Sequence, residues 1–254
     1  MKLIENIPYN AGYPQDEKRM LDIYLPDNTE NVPVFVYFHG GGLEAGCRKD
    51  LNDTLAKTLA AKGIAVVNAD YRLMPEAQYP DFINDVADCV KWTAENICNY
   101  CTPTGIYVGG SSAGGYLSMM LCFDKQYLRE RCCEDAVKGY FHDAGQPTKH
   151  YSILSSMGYD KYRIIVDETA PLYHVNGEDI YPPMHFVVSD NDIKNRYEQT
   201  MLMLSVLRNF GHGEKVTHTI MHGKHCQYVR EQNENGENKL ALMVADFISK
   251  CEEK

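Results

Sequence analysis

The chain has 254 residues, of which 44% are hydrophobic and 24% are charged, the composition of an ordinary globular protein. Its net charge of −10, without any basic cluster longer than two residues, argues against nucleic acid and anionic membranes as partners. No apolar run is long enough to span a membrane, and the first ten residues lack a signal-peptide pattern. We therefore expect a cytoplasmic protein whose nine cysteines are reduced. The sequence does not decide the oligomeric state, and a homo-oligomer is possible.

Predicted strands and helices alternate through the first half of the chain. Runs of β-branched and aromatic residues predict buried strands, and apolar residues spaced three to four apart predict helices. The predicted strands cover 20–26, 32–40, 64–72 and 105–110, and the predicted helices cover 50–63, 81–97 and 112–123.

The second half of the chain continues the same alternation. Strands are predicted over 137–144, 183–190 and 214–223, and helices over 197–211 and 238–253. This order predicts an α/β fold with a mostly parallel sheet covered by helices on both faces, as a single domain over 1–254. In such sheets, functional sites lie beyond the carboxyl ends of the strands.

Two serines stand among small residues where a predicted strand meets a predicted helix. Gly110, Ser112 and Gly114 fit the pattern G-x-S-x-G, and the strand-to-helix setting is that of a nucleophile elbow. A glycine-rich turn with Ser112 as a helix N-cap is the structural alternative. Ser111 fits the motif less well, because it would need a glycine where Ala113 stands.

Three glycines, Gly40, Gly41 and Gly42, follow His39 at the end of the second predicted strand. Glycines let the backbone approach a ligand closely and direct N–H groups at it, as stabilisation of a tetrahedral oxyanion requires. Phosphate binding and a turn without a role are the alternatives. A P-loop would need a Lys-Ser/Thr pair after the glycines, and none follows.

The sequences HGGG at 39–42, YRLMPE at 71–76 and GGSSAGGYL at 109–117 resemble a known family. They are similar to α/β-hydrolase esterases of the hormone-sensitive-lipase type and to the smaller acetylxylan and feruloyl esterase-like hydrolases. The resemblance runs from about residue 32 to the end of the chain. It implies an α/β-hydrolase fold that uses no metal and no cofactor.

The resemblance also assigns roles around the two motifs. It implies that the backbone amides of Gly41, Gly42 and Ala113 form an oxyanion hole, and that His39, with Gly40, orients the glycine loop. Larger relatives carry a helical cap before HGGG, whereas the 38 residues before His39 are predicted to be strands and turns. This leaves a short lid at approximately 145–180 and no N-terminal helical cap.

The resemblance places the catalytic acid a few residues after the predicted strand 183–190. Asp192 fits this place, because the YEQ stretch that often follows begins five residues later, at Tyr197. Asp190 is an alternative, as is Asp143, which follows the preceding strand. A turn aspartate or a helix cap is the structural interpretation of each.

The catalytic base is expected in the loop after the last predicted strand. His225 lies in that loop, whereas His218 lies within the strand and His222 lies at its end. The family motif often has a glycine after this histidine, where the present chain has Cys226.

We therefore expect a serine carboxylic-ester hydrolase that forms an acyl-enzyme on a small-molecule ester with a short acyl group. Acetyl or feruloyl groups on carbohydrate fit a short lid with tyrosines at 151, 159, 162 and 173, which can stack on sugars or aromatic acyl groups or simply pack the lid. An arylformamidase-like or peptidase-like amide hydrolase would use the same triad. A non-catalytic ligand-binding module on this fold is the alternative from another class.

Overall fold

The computed structural model describes residues 1–50 and 52–253, with the side chains of residues 52 and 53 excepted. In this part of the chain, eight strands form one sheet in the order β1-β2-β4-β3-β5-β6-β7-β8. Strands β3 to β8 are parallel, and β2 pairs antiparallel with both β1 and β4. The strands are β1 (Lys2–Pro8), β2 (Met20–Leu25), β3 (Val32–Phe38), β4 (Ala65–Ala69), β5 (Pro103–Ser111), β6 (Val137–Asp143), β7 (Met184–Asn191) and β8 (Val216–Lys224).

Helices connect the parallel strands and cover both faces of the sheet, which confirms the predicted α/β architecture. Residues of α2, α3 and α7 join one apolar core, and residues of α1 and α8 join the other. Within the described residues the α-helices are α1 (Lys57–Ala61), α2 (Asp81–Asn96), α3 (Ala113–Phe123), α4 (Gln126–Arg129), α5 (Tyr151–Ser156), α6 (Pro171–His174), α7 (Arg196–Asn209) and α8 (Lys239–Glu252).

Strand β3 shows why its sequence is apolar throughout. Val34, Val36 and Phe38 enter one core, whereas Phe35 and Tyr37 enter the other. Side chains alternate between the two faces of a strand, so a strand covered on both faces needs apolar residues at every position. The central position of β3 places the glycine loop that follows it in the middle of the carboxyl edge.

Two elements differ from the predictions. The predicted helix 50–63 is shorter, because a π-helical turn (Asn52–Ala56) leads into α1, which ends before Gly63; residue 51 lies outside the described residues. Strand β1 was not predicted, since most of its residues are exposed and it has no apolar pattern.

The residues around the expected cap and lid are also described. In residues 1–38, all within the described part, there are three strands and a 3-10 turn but no α-helix. Between β6 and β7 lie two short helices, α5 and α6, and residues 144–150 are all buried. The beginning of this segment is therefore a buried wall next to the sheet, and its action as a lid stays a prediction.

No helix within 1–50 and 52–253 is long and apolar enough to cross a membrane.

Candidate active site

Ser112 lies in a sharp turn between β5 and α3. Its backbone has φ 55° and ψ −108°, in the left-handed half of conformational space that non-glycine residues rarely adopt. A Cβ atom on Gly114 would lie 1.9 Å from the Phe38 carbonyl oxygen, and one on Gly110 would lie 2.5 Å from the same oxygen. The close approach of β3 therefore explains the glycines on either side of the serine. Ser112 stands at the N-cap position of α3, but its side chain makes no capping hydrogen bond, so capping does not account for the serine.

A chain of hydrogen bonds joins Ser112 to His225 and Asp192. The Ser112 hydroxyl lies 2.8 Å from His225 Nε2, and His225 Nδ1 lies 2.5 Å from Asp192 Oδ1. The Asp192 side chain is fully buried and also accepts hydrogen bonds from the backbone N–H groups of Ser189 and Ile193. These contacts fix the carboxylate, which in turn holds Nδ1 as the donor and leaves Nε2 free to accept from the serine.

The alternative acid and base lie elsewhere. Asp190 and His222 form a pair of their own, 2.6 Å apart, on the outside of the sheet, where the His222 side chain is 97% exposed. The pKa of Asp190 is lowered by the hydrogen bond from the Gly223 N–H and by His222. His218 is exposed on the edge strand β8. The structure brings none of these residues to Ser112.

Asp143 and Ser111 belong to a separate buried network behind the turn. The Ser111 hydroxyl donates to one Asp143 oxygen, and the Tyr228 hydroxyl donates to the other. Tyr37 donates to Ser111 Oγ at 2.9 Å. Burial raises the pKa of Asp143 to about 6. The network occupies Ser111, which leaves Ser112 as the hydroxyl that faces His225.

The glycine loop after β3 offers unpaired backbone donors. Gly41 has φ 114° and Gly42 has φ 69°, and a Cβ on either would lie within 2.2 Å of Ala45 or Tyr151 atoms. The N–H groups of Gly41 and Gly42 donate to no group in the described chain. Unpaired N–H groups beside a nucleophile are what an oxyanion requires.

His39 supports this loop from beneath. Its ring is buried and stacks on Tyr71, with centroids 4.4 Å apart, and its Nδ1 donates to the Gly40 carbonyl at 2.7 Å. The Tyr71 hydroxyl donates to the His39 carbonyl. Burial lowers the pKa of His39, so the ring is neutral at neutral pH and positions the loop.

Arg72 forms a bidentate ion pair with Asp85, which ties the chain after β4 to α2.

Ser112, His225 and the glycine loop line one cavity of about 460 Å³. Tyr151 and Cys226 line it too, and Cys226 Sγ lies 3.6 Å from His225 Nε2. Cys226 has φ 52°, which explains why the family often has glycine here. Burial raises the pKa of the Cys226 thiol, which keeps it protonated.

No group of three or more His, Cys, Asp or Glu side chains in the described part of the chain is arranged to hold a metal ion.

Comparison with known proteins assigns the chain to a family. The chain matches the BD-FAE family over residues 21–158, which is more than half of its length and includes both glycine motifs. The chain belongs to the BD-FAE family. BD-FAE domains belong to the α/β-hydrolase esterase group.

Curated relatives match part of the chain. Carboxylesterase NlhH of Mycobacterium tuberculosis is 42% identical over 102 residues, which cover 39% of this chain and 32% of that protein. An AB hydrolase superfamily protein of Schizosaccharomyces pombe is 37% identical over 139 residues, covering 54% of this chain and 39% of that protein. The chain therefore spans only 32% and 39% of the length of these two relatives.

A solved structure extends the likeness in fold to the whole BD-FAE chain. A truncated carbohydrate esterase from gut microbiota superposes with a TM-score of 0.78 at 19% identity, covering 100% of this chain and 97% of that one. At this identity the likeness supports the fold, and together with the topology it confirms the predicted α/β-hydrolase fold.

Several residues at the site were missed from the sequence. Tyr37 contacts Ser111 and Tyr228 contacts Asp143, in each case across a long separation in sequence. Neither tyrosine belongs to a sequence motif. Arg196 was also missed, although it lies close to the expected acid and is buried. A fully buried arginine cannot be recognised from its neighbours in sequence alone.

Proposed function

We propose that the protein is a serine carboxylic-ester hydrolase that acts on short acyl esters through an acyl-enzyme on Ser112. The hydrogen-bonded chain from Ser112 to His225 to Asp192 carries the proposal. A serine is a weak nucleophile unless a base accepts its proton, and here the base is itself held by a buried carboxylate.

The first half-reaction makes the acyl-enzyme. His225 Nε2 takes the hydroxyl proton as Ser112 Oγ attacks the ester carbonyl carbon, and Asp192 stabilises the charged imidazole. The backbone amides of Gly41, Gly42 and Ala113 stabilise the negative oxygen. The tetrahedral intermediate then collapses, the C–O bond to the alcohol breaks, and the alcohol leaves with the proton from His225.

The second half-reaction uses the same groups with water. His225 accepts a proton from a water molecule as its oxygen attacks the acyl carbon, and the second tetrahedral intermediate uses the same amides. Collapse returns the proton to Ser112 Oγ and releases the carboxylic acid. No step needs a metal or a cofactor.

The substrate that we favour is a short acyl ester of a carbohydrate, with an acetyl or feruloyl group. A cavity of about 460 Å³ is large enough for a small acyl group and part of an alcohol. Tyr151, one of the four tyrosines considered for stacking, lines it. Tyr162 lines the neighbouring cavity, and Tyr159 and Tyr173 are exposed and line neither.

The test compares p-nitrophenyl esters from acetyl to decanoyl with p-nitroacetanilide. We expect the wild type to cleave the short esters fastest, and Ser112→Ala and His225→Ala to lower kcat/KM by about four orders of magnitude. Ser111→Ala and His222→Ala are the matched controls and should stay within about tenfold of the wild type.

Three results would contradict the proposal. Full activity in Ser112→Ala would remove the serine from the chemistry. Faster cleavage of the anilide than of every ester would favour an amide hydrolase. A wild type inert on all of these compounds would favour the non-catalytic module.

A further inference from the structure

A second cavity of about 250 Å³ adjoins the one that contains Ser112, and Tyr151 and Ile193 line both. Tyr151 and Ile193 therefore form the boundary that the two cavities share, and a ligand at Ser112 that extends past them would enter the second cavity. We call this second space the basic cavity; its other lining residues are Gln146, Lys161, Tyr162, Lys194, Arg196 and Gln199.

Arg196 is a buried cation without a carboxylate partner. Its side chain donates to the Ala144 carbonyl and to Gln146 Oε1, both of which are neutral acceptors. The residue is only 2% exposed, and among the described residues no carboxylate lies within 4.0 Å of its guanidinium. A buried charge is costly unless it is paired, and a guanidinium has five N–H donors. Further donors remain for a ligand.

The nearest carboxylate, Asp192, is committed elsewhere. It affects the pKa of Arg196 through space, but its oxygens accept from His225 Nδ1 and from backbone N–H groups. Burial nevertheless lowers the pKa of Arg196, as expected of a cation whose charge is not fully compensated.

Two lysines at the mouth add to the positive charge. Lys161 Nζ and Lys194 Nζ lie 5.2 Å and 5.3 Å from the centre of the Tyr162 ring. Neither makes an ion pair with the described residues, and no Asp or Glu lines the basic cavity. Three cations converge here in a chain whose net charge is −10.

Gln199 supplies a neutral donor at the same place. Its side-chain oxygen accepts a hydrogen bond from Thr148 Oγ1 at 3.0 Å. Its side-chain nitrogen makes no hydrogen bond with the described chain, although the residue is 6% exposed. The described residues that line the basic cavity therefore offer cations and N–H donors, and no anion.

We propose that the ester substrate carries a carboxylate, which binds in the basic cavity to Arg196, Lys161 and Lys194 while its ester group lies at Ser112. This rests on the proposed ester hydrolysis and specifies its substrate class. The planar fork of arginine matches a carboxylate in two parallel hydrogen bonds, and the lysines attract it at longer range. The carboxylate belongs either to the acyl half, as in a dicarboxylic half-ester, or to the alcohol half.

Two matched substrate pairs test the proposal and separate the two sources. Monophenyl adipate against methyl phenyl adipate places the charge on the acyl half. 4-Acetoxybenzoate against methyl 4-acetoxybenzoate places it on the alcohol half. Each kcat/KM is divided by the hydroxide-catalysed rate constant of the same ester, which removes differences in intrinsic reactivity.

We expect the charged member of one pair to be favoured by about tenfold, with a preference that falls as salt is added. The double variant Lys161→Ala/Lys194→Ala should abolish most of this preference. It should leave the neutral esters within about twofold, because both lysines are exposed and neither lines the cavity that contains Ser112. Lys215→Ala is the control and should keep the preference, because Lys215 is exposed and directly precedes β8, at the end of that strand away from His225.

Arg196→Met should reduce the preference further, and its folding is checked by its melting temperature. If that variant does not fold, the lysine variant alone decides. Two results would overturn this inference and leave the proposed function standing, provided that the neutral esters are cleaved and that cleavage depends on Ser112. In the first, neither charged ester is favoured over its neutral counterpart. In the second, the lysine variant retains the preference for the charged ester. A wild type inert on all four esters would overturn both.

Discussion

Two adjacent serines with different surroundings define the site at the scale of single residues. Ser111 is the last residue of β5, and strand register places it opposite Asp143, to which it donates. Ser112 is the next residue and turns the other way, towards His225. The sequence motif predicts this difference, because only Ser112 has glycines two positions away on both sides. The catalytic roles of Ser112, His225 and Asp192 stay predictions until they are measured.

Asp143 yields a prediction for stability against pH. Burial raises its pKa in the folded protein from 3.8 to about 6. A raised folded pKa means that the folded state holds the proton more tightly, so the stabilisation is complete below about pH 4 and is lost as pH rises to about 6. Relative to Asp143→Asn, which does not titrate, the wild type should lose about 2 kcal/mol of unfolding free energy between pH 4 and pH 7.

Urea denaturation of both proteins at pH 4, 5, 6 and 7 measures this difference, and other titrating groups cancel in the comparison. A difference between the two proteins that stays constant from pH 4 to pH 7 would show that Asp143 titrates normally.

At the scale of elements, the tight contact between the turn and β3 depends on Gly114. We expect Gly114→Ala to lower the free energy of unfolding by about 3 kcal/mol or more and to impair activity, because the added methyl would meet the backbone of Phe38. Gly12→Ala is the matched control, since Gly12 is exposed and its new Cβ would meet only the Asn10 side chain, at 3.3 Å. A loss in Gly114→Ala no larger than in Gly12→Ala would show that the close approach is not required.

The elements also show what local sequence can and cannot predict. Strands β3 to β7 were predicted because a strand between two helical layers needs a long apolar run. Strand β1 was missed because its exposed residues leave no pattern, and the start of the helix near α1 was wrong because no local feature marks a π-helical turn. The local motifs around Ser112 and His39 were visible for a different reason, since the backbone geometry there demands glycine.

At the scale of the whole molecule, the sheet brings together groups from distant parts of the chain. Ser112, Asp192 and His225 follow β5, β7 and β8, whose carboxyl ends lie at one edge because these strands are parallel. The positions of these three residues, each just after a predicted parallel strand, could therefore predict that their side chains lie at the same edge of the sheet. They could not predict the link from Tyr228 to Asp143, 85 residues apart, or that Arg196 has no carboxylate partner among the described residues, because side-chain contacts across elements leave no local signal.

The measurement that tests the central claim most directly is covalent trapping with diethyl p-nitrophenyl phosphate. An activated serine attacks the phosphorus, a Ser Oγ–P bond forms, and p-nitrophenolate leaves. We predict one diethylphosphoryl group per chain by intact mass, located on Ser112 by peptide mapping, and none on Ser112→Ala. A label on Ser111 or another residue, or an unlabelled wild type, would contradict the assignment of Ser112 as the activated nucleophile.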